Sequence, residues 1–168
     1  MDLDLLLDQP HSRAFLIGTF ATAFMDAWLF ALKRVGIPTL DFALLGRWVG
    51  HMGRGAWRHP AIARAEPVRH ETGLGWLAHY ATGIAFASIL VALAGPEWTG
   101  DPTWGPALAM GVATVAAPWL LMQPAMGAGI AACRTPNPLV NRIRSLANHT
   151  VFGIGLYLAA VFIERILK

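Results

Sequence analysis

The sequence predicts an all-α, polytopic membrane protein. Four transmembrane helices form a bundle, and an interfacial amphipathic helix lies between helices 1 and 2. Of its 168 residues, 55% are hydrophobic and 14% are charged, and the mean hydropathy is +0.48, whereas soluble domains carry about 25% charged residues. Four apolar blocks are long enough to cross a bilayer, and the basic residues gather in the connections on one side of them. We treat residues 1–168 as a single membrane domain.

The four spans are expected at about 14–32, 74–95, 106–130 and 147–163, because a helix needs about 20 mainly apolar residues to cross a membrane. The first block follows a start that carries acidic residues at Asp2, Asp4 and Asp8. A secretory signal needs a basic start, so we expect the first block to remain as a membrane anchor.

The connections between the later blocks are marked by glycine and proline. Residues 95–106 are rich in glycine and proline and predict the tip of a helical hairpin. The third block is interrupted by Pro118 and Pro124. The fourth block follows the stretch RTPNPLVNRIRS, whose prolines prevent one continuous helix.

The segment at about 41–57 predicts a helix that lies in the membrane interface, with Asp41 as its N-cap. At helical spacing its basic residues form one stripe, namely Arg47, His51, Arg54 and Arg58. This stripe predicts binding to anionic lipid headgroups, or a pocket for one phosphate or carboxylate. Gly46 and Gly50 mark another face, which we expect to contact a neighbouring helix or a second copy in a homo-oligomer.

Orientation follows from the basic residues. Ten of the thirteen lysines and arginines lie between spans one and two or between spans three and four. The positive-inside rule makes these connections cytoplasmic and places both termini on the non-cytoplasmic side. Because the basic residues lie in short loops between apolar blocks, we expect the lipid bilayer and no nucleic acid as a partner.

Each span carries its most polar residues in its cytoplasmic third. Asp26 is the one charged residue between Ala14 and Ala31, and an ionisable residue inside a membrane span indicates function by default. We expect Asp26 to point at His79 and His149 across the interior of the bundle. The expected ligand-binding residues are Asp26, His79, Gln123, His149, Arg47, His51, Arg54, Arg142 and Arg144.

The cluster leaves several functions open. The first is binding or translocation of a small ligand, a metal or a proton-linked solute. A transition metal would be held by Asp26, His79, His149, Met122 and Met126. A b-type haem would be held by the two histidines.

Two other functions fit the same residues. One is a membrane-embedded enzyme that acts on a lipid or a phosphorylated substrate through the arginines and the Asp26–histidine pair. The other is a non-catalytic accessory subunit of a membrane complex, in which the cluster only packs helices. The chain has no nucleophile motif or phosphate-binding loop, so no catalytic residue is assigned.

Four longer motifs carry a resemblance that covers nearly the whole chain. They are MDAWLFALKRVGIPTLDFALLGRWVGHMGRG, LGWLAHYATGIAFA, MQPAMGAGIAA and RSLANHTVFGIGLYL. With these motifs the sequence resembles an uncharacterised family of small four-helix bacterial inner-membrane proteins, which is defined as a domain of unknown function. The resemblance implies a location in the bacterial inner membrane. It implies no activity, substrate or site residue.

Overall fold

The computed structural model describes residues 9–167, which form five main helices and no β-strand. Asp2, Asp4 and Asp8, on which the expectation of a retained anchor depends, lie outside the described residues. The helices are α1 (Pro10–Arg34), α2 (Phe42–Met52), α3 (Glu71–Ala94), α4 (Trp104–Ala125, interrupted) and α5 (Pro138–Leu167).

Four of these helices, α1, α3, α4 and α5, are long and apolar enough to cross a membrane. Large apolar side chains project outward from them, for example Phe15, Leu93 and Phe162, which are 54%, 78% and 53% exposed. Such an apolar exterior is costly in water and is satisfied by lipid. The predicted class, an all-α membrane protein with four spans and a fifth helix after the first span, is confirmed.

Two spans begin at a proline. Pro10 opens α1 and Pro138 opens α5, because proline is well tolerated in the first turn, where a backbone N–H has no helical partner. The helix α5 therefore begins well before residue 147, the predicted start of the fourth span. Arg142 and Arg144 lie in its early turns. Because these residues are charged, the mean hydropathy of the first turns is low, and a prediction based on hydropathy does not include them.

Helix α2 is shorter than the segment 41–57 predicted for it. Asp41 caps its start, as expected, by accepting a hydrogen bond from the Ala43 N–H at 2.9 Å. At the other end the Ala56 N–H bonds to the His51 carbonyl, and Gly55 adopts a φ of +83°. This is a glycine-dependent helix stop, so Arg54 and Arg58 do not continue the basic stripe on a regular helix.

Glycines set the closest approaches between helices. Gly46 of α2 packs against the backbone of Glu71 and Gly75 in α3, and Gly50 packs against Val68. Residues of the same chain therefore cover Gly46 and Gly50, as expected for contact with a neighbouring helix. Further close contacts join α1 to α3 at Gly18 and Gly83, and α4 to α5 at Gly111 and Gly153.

The helices follow a fixed order in space. Helix α1 packs between α3 and α5, α2 packs on α3, and α4 packs on α5. Helices α3 and α4 consequently lie on opposite flanks and touch little, although a short hairpin joins them. This leaves a gap between α3 and α4 on one side of the bundle.

Helix α4 changes geometry along its length. It is regular from Trp104 to Ala113, widens into a π-helical turn at Pro118–Met122, and ends with Gln123–Ala125. Prolines lack the N–H that would close a regular turn, and π-helical turns occur often at functional sites.

Candidate functional site

Asp26 is held by two donors from α3. His79 Nε2 lies 2.8 Å from Asp26 Oδ1, and the Tyr80 hydroxyl donates to Asp26 Oδ2 at 2.9 Å. The side chains of His79 and Asp26 are only 11% and 17% exposed. Both carboxylate oxygens are therefore satisfied inside the bundle, which is what a carboxylate in an apolar span requires.

An aromatic group covers this pair from the side of α2. The Phe42 ring stacks on Trp76, with ring centroids 4.1 Å apart, and lies 4.8 Å from the His79 ring. These rings shield the carboxylate–imidazole bond from water, and a low-dielectric surrounding strengthens such a bond.

Sequence reasoning missed Tyr80. His79 was the residue of α3 that was expected in the site, whereas Tyr80 lies one position further along the helix, about 100° around the axis. Its hydroxyl reaches Asp26 because a tyrosine side chain is long. A polar aromatic residue beside a buried histidine was the signal that could have found it.

His149 does not bond to Asp26, contrary to the expectation that Asp26 points at both histidines. Its Nδ1 lies 2.9 Å from the Thr114 hydroxyl oxygen on α4. That hydroxyl gives its own hydrogen to the Gly111 carbonyl at 2.6 Å, so His149 Nδ1–H must donate to it. In the neutral ring, Nε2 of His149 is consequently a hydrogen-bond acceptor.

His79 and His149 meet at a shared cavity of about 590 Å³. Its walls come from all five helices and from residues 38–40 and 128–135. Its exposed lining residues are Thr82 and Leu121, beside the gap between α3 and α4, and Pro38 and Leu40, in the connection between α1 and α2. Of the predicted site residues, those that line the cavity are His79, His149, Gln123, Met122 and Arg144. Asp26 lies behind His79 and does not line it.

Arg47 has a structural place rather than an open binding site. Its Nε and Nη2 atoms donate to the two carboxylate oxygens of Glu71 at 2.9 and 2.8 Å. Its Nη1 faces the carbonyls of Ile62, Ala63 and Ala65. The hydrogen bonds to Glu71 raise the pKa of Arg47 above its ordinary value, and together these contacts fasten the chain after α2 to the start of α3.

His51 likewise makes contacts within the chain. Its Nδ1 lies 2.7 Å from His59 Nε2, and its Nε2 lies 3.0 Å from the Glu66 carbonyl oxygen. Burial, and to a lesser extent the neighbouring His51, lower the pKa of His59 below its ordinary value. The His59 backbone N–H donates to the Ala125 carbonyl at 2.7 Å, which links this segment to the end of α4.

The other predicted site residues also lie outside the cavity. Arg142 Nε donates to the Ala131 carbonyl at 2.8 Å and supports a turn in which Ala131 and Ala132 both adopt positive φ angles. Arg54 is exposed after the end of α2. The Met126 N–H bonds to the Met122 carbonyl, and its own carbonyl accepts from the Ile62 N–H.

The structure does not assemble the metal ligands that the sequence suggested. Within residues 9–167, no group of three or more histidine, cysteine, aspartate and glutamate side chains is arranged to hold a metal ion. The physical reason is that His79 and His149 bond in different directions, one to Asp26 and the other to Thr114. The only ring nitrogens of these two histidines that could still ligate a haem iron are Nδ1 of His79 and Nε2 of His149.

Comparison with known proteins gives a family and no further relatives. No curated protein and no solved structure matches this sequence. The family model described as "Protein of unknown function (DUF2938)" matches residues 15–163, which includes every residue of the cavity and of the Asp26 network. On this match, the chain belongs to the DUF2938 family.

Proposed function

We propose that this protein is a bacterial inner-membrane protein that binds a small organic ligand in the cavity between α3 and α4. The observation that carries the proposal is the cavity itself. Its volume of about 590 Å³ falls within the roughly 300–1,000 Å³ of small-molecule sites. Apolar walls with a few polar groups are also typical of such sites.

The positions of the polar groups support this function. Nδ1 of His79 and Nε2 of His149 are not used by the bonds that hold each ring, and both residues line the cavity. Two fixed imidazoles can therefore orient a ligand without losing their own partners. Asp26 bonds directly to His79, so a ligand bound to His79 would also change the electrostatic field at the Asp26 carboxylate. Such a coupling between ligand binding and a titratable group is what a proton-linked solute requires.

The orientation that we propose places the cavity near the cytoplasmic surface. Arg34 ends α1, Glu71 begins α3 and Pro138 begins α5 at the same end of the bundle, and most basic residues lie in the connections there. By the positive-inside rule this end is cytoplasmic and both termini face outward.

A pair of neighbouring alanines on α4 gives the test. Ala117 lines the cavity, whereas Ala116 is exposed and does not. The detergent-purified protein is screened for thermal stabilisation against a library of small metabolites. A ligand present at 100 times its Kd stabilises the folded state by about 2.7 kcal/mol. We expect compounds that stabilise the wild type and Ala116→Phe, but not Ala117→Phe, because the added ring fills the cavity.

The same screen defines failure. If no compound stabilises the wild type, or if Ala117→Phe responds as the wild type does, the cavity is not a binding site. The thermal unfolding of both variants is measured first without ligand. This control shows that both variants are folded, so that a lack of stabilisation by a compound reports loss of binding.

A further inference from the structure

We propose that the ligand is a single-chain amphipathic anion, with a carboxylate or phosphate head at Arg144 and an alkyl tail directed towards Phe86 and Phe152. This inference rests on the proposed function and names the chemical class of its ligand.

The charge of the cavity favours an anion. Among the residues that the structure describes, Arg144 is the only lysine or arginine that lines it, and no aspartate or glutamate lines it. Two other largely shielded arginines have carboxylate partners, Arg13 with Glu164 and Arg47 with Glu71, each at 2.8 Å, and Arg142 donates to the Ala131 carbonyl. Within residues 9–167 Arg144 has no such carboxylate partner. A half-buried guanidinium without a counter-charge is a ready site for a carboxylate or a phosphate.

Neutral polar groups gather at the same end of the cavity. Asn141 and Ser145 lie within one turn of Arg144 on α5 and also line the cavity. On the facing α4, the Gln123 amide donates to the Ser145 hydroxyl oxygen at 3.4 Å, which leaves the hydroxyl hydrogen of Ser145 to donate to an anion. These groups supply the additional hydrogen bonds that a buried head group requires.

The other end of the cavity is apolar. Phe86 and Phe152 close it with an edge-to-face contact, their ring centroids 6.4 Å apart. Thr22 and Thr82 also line the cavity, but their hydroxyls donate to the Gly18 and Ala78 carbonyls of their own helices. They therefore offer mainly apolar surface to a ligand.

The separation of the two ends sets the shape of the ligand. Arg144 and Phe152 both lie on α5, eight residues or about 12 Å apart along the helix axis. A compact anion such as inorganic phosphate would occupy only the Arg144 end. An alkyl chain attached to the head would bury the apolar surface between the two ends, which favours binding.

Binding of four probes to the purified protein in phosphatidylcholine nanodiscs tests the inference. The probes are dodecanoate, dodecyl phosphate, dodecanol and inorganic phosphate, and native mass spectrometry measures the bound fraction. We expect the two amphipathic anions to bind the wild type at least about tenfold more tightly than dodecanol, since hydrogen bonds to charged groups are the stronger ones. Inorganic phosphate is expected not to bind measurably.

Two arginine variants isolate the head-group contact. Arg144→Gln should weaken the binding of both anions by about tenfold. Arg54→Gln, which removes an exposed arginine outside the cavity, should leave their binding unchanged. Arg144→Lys keeps the charge and should retain part of the affinity, which separates loss of binding from loss of folding.

Each contrary result has one meaning. Equal binding of dodecanol and dodecanoate, or unchanged binding by Arg144→Gln, overturns the anionic head. Inorganic phosphate that binds as tightly as dodecyl phosphate overturns the tail. If none of the four probes binds while the metabolite screen finds a ligand that Ala117→Phe loses, the ligand class is wrong and the proposed function stands.

Discussion

One carboxylate joins α1 to α3. Asp26 accepts from both His79 and Tyr80, and all three side chains are largely shielded from water. Removing the acceptor leaves two buried donors unpaired, which costs more than removing one donor.

At the residue scale we therefore predict different costs for two substitutions. Asp26→Ala should lower the free energy of unfolding by about 1–3 kcal/mol. Tyr80→Phe should lower it by about 0.6–1.7 kcal/mol, from the average to the largest value that double-mutant cycles give for side-chain hydrogen bonds in a membrane protein. Unfolding in mixed detergent micelles, followed by tryptophan fluorescence, measures both values. The double variant should cost less than the sum of the single variants, because Tyr80 has no acceptor once Asp26 is gone; strict additivity would contradict the described bond.

The residue scale also shows where sequence reasoning stops. Asp26 and His79 could be paired from depth alone, since each lies a few turns from the same end of its span. The partner of His149 could not, because Thr114 is one of several threonines in the spans and only the packing of α4 on α5 selects it. Arg47 was expected to bind ligands, but it pairs with Glu71. This pairing depends on the path of the chain between α2 and α3, which the sequence pattern does not reveal.

At the scale of elements, α2 and α3 cross so closely that no side chain fits between them. Gly75 is buried, and a Cβ there would meet the Phe42 carbonyl, whereas Gly73, on the same helix, has open space around it. Gly75 is therefore required for the close contact with α2, whereas Gly73, less than one turn away, has room for a side chain.

We predict that Gly75→Ala destabilises the protein by at least about 1–3 kcal/mol, the usual cost of overpacking. Gly73→Ala should stabilise it by about 0.5–1 kcal/mol, because alanine is the better helix former. Chemical unfolding of both variants in the same detergent gives the comparison. Equal effects of the two substitutions would mean that α2 does not pack on α3 at this point.

Periodicity and composition could predict the number and type of the helices, but not all their ends. Asp41 was identified as a cap because its side chain acts locally. The end of α2 escaped notice because it depends on Gly55 adopting a positive φ, and the sequence offers several other glycines nearby. The gap between α3 and α4 depends on which helices pack together, and the hydropathy of a span carries no information about its neighbours.

At the scale of the whole molecule, the orientation rests on the distribution of basic residues. The sequence has one cysteine, Cys133, which is exposed in the connection between α4 and α5. In the proposed orientation this connection is cytoplasmic, and the hairpin tip at Asp101 lies on the opposite side.

We predict that a membrane-impermeant maleimide labels Cys133 in inverted membrane vesicles and not in intact bacterial spheroplasts. A Cys133→Ser variant that carries Asp101→Cys should show the reverse pattern, since Asp101 is exposed at the other end of the bundle. Gel shift of the labelled protein measures both. Labelling of Cys133 in spheroplasts would invert the proposed topology.

The divergence of α3 from α4 also has a consequence for exchange. In the proposed membrane orientation, the side of the cavity at exposed Thr82 and Leu121 would face acyl chains. The occupancy of such a cavity would follow the mole fraction of its ligand in the surrounding lipid. Adding empty vesicles would then deplete it, whereas diluting the buffer would leave it nearly full.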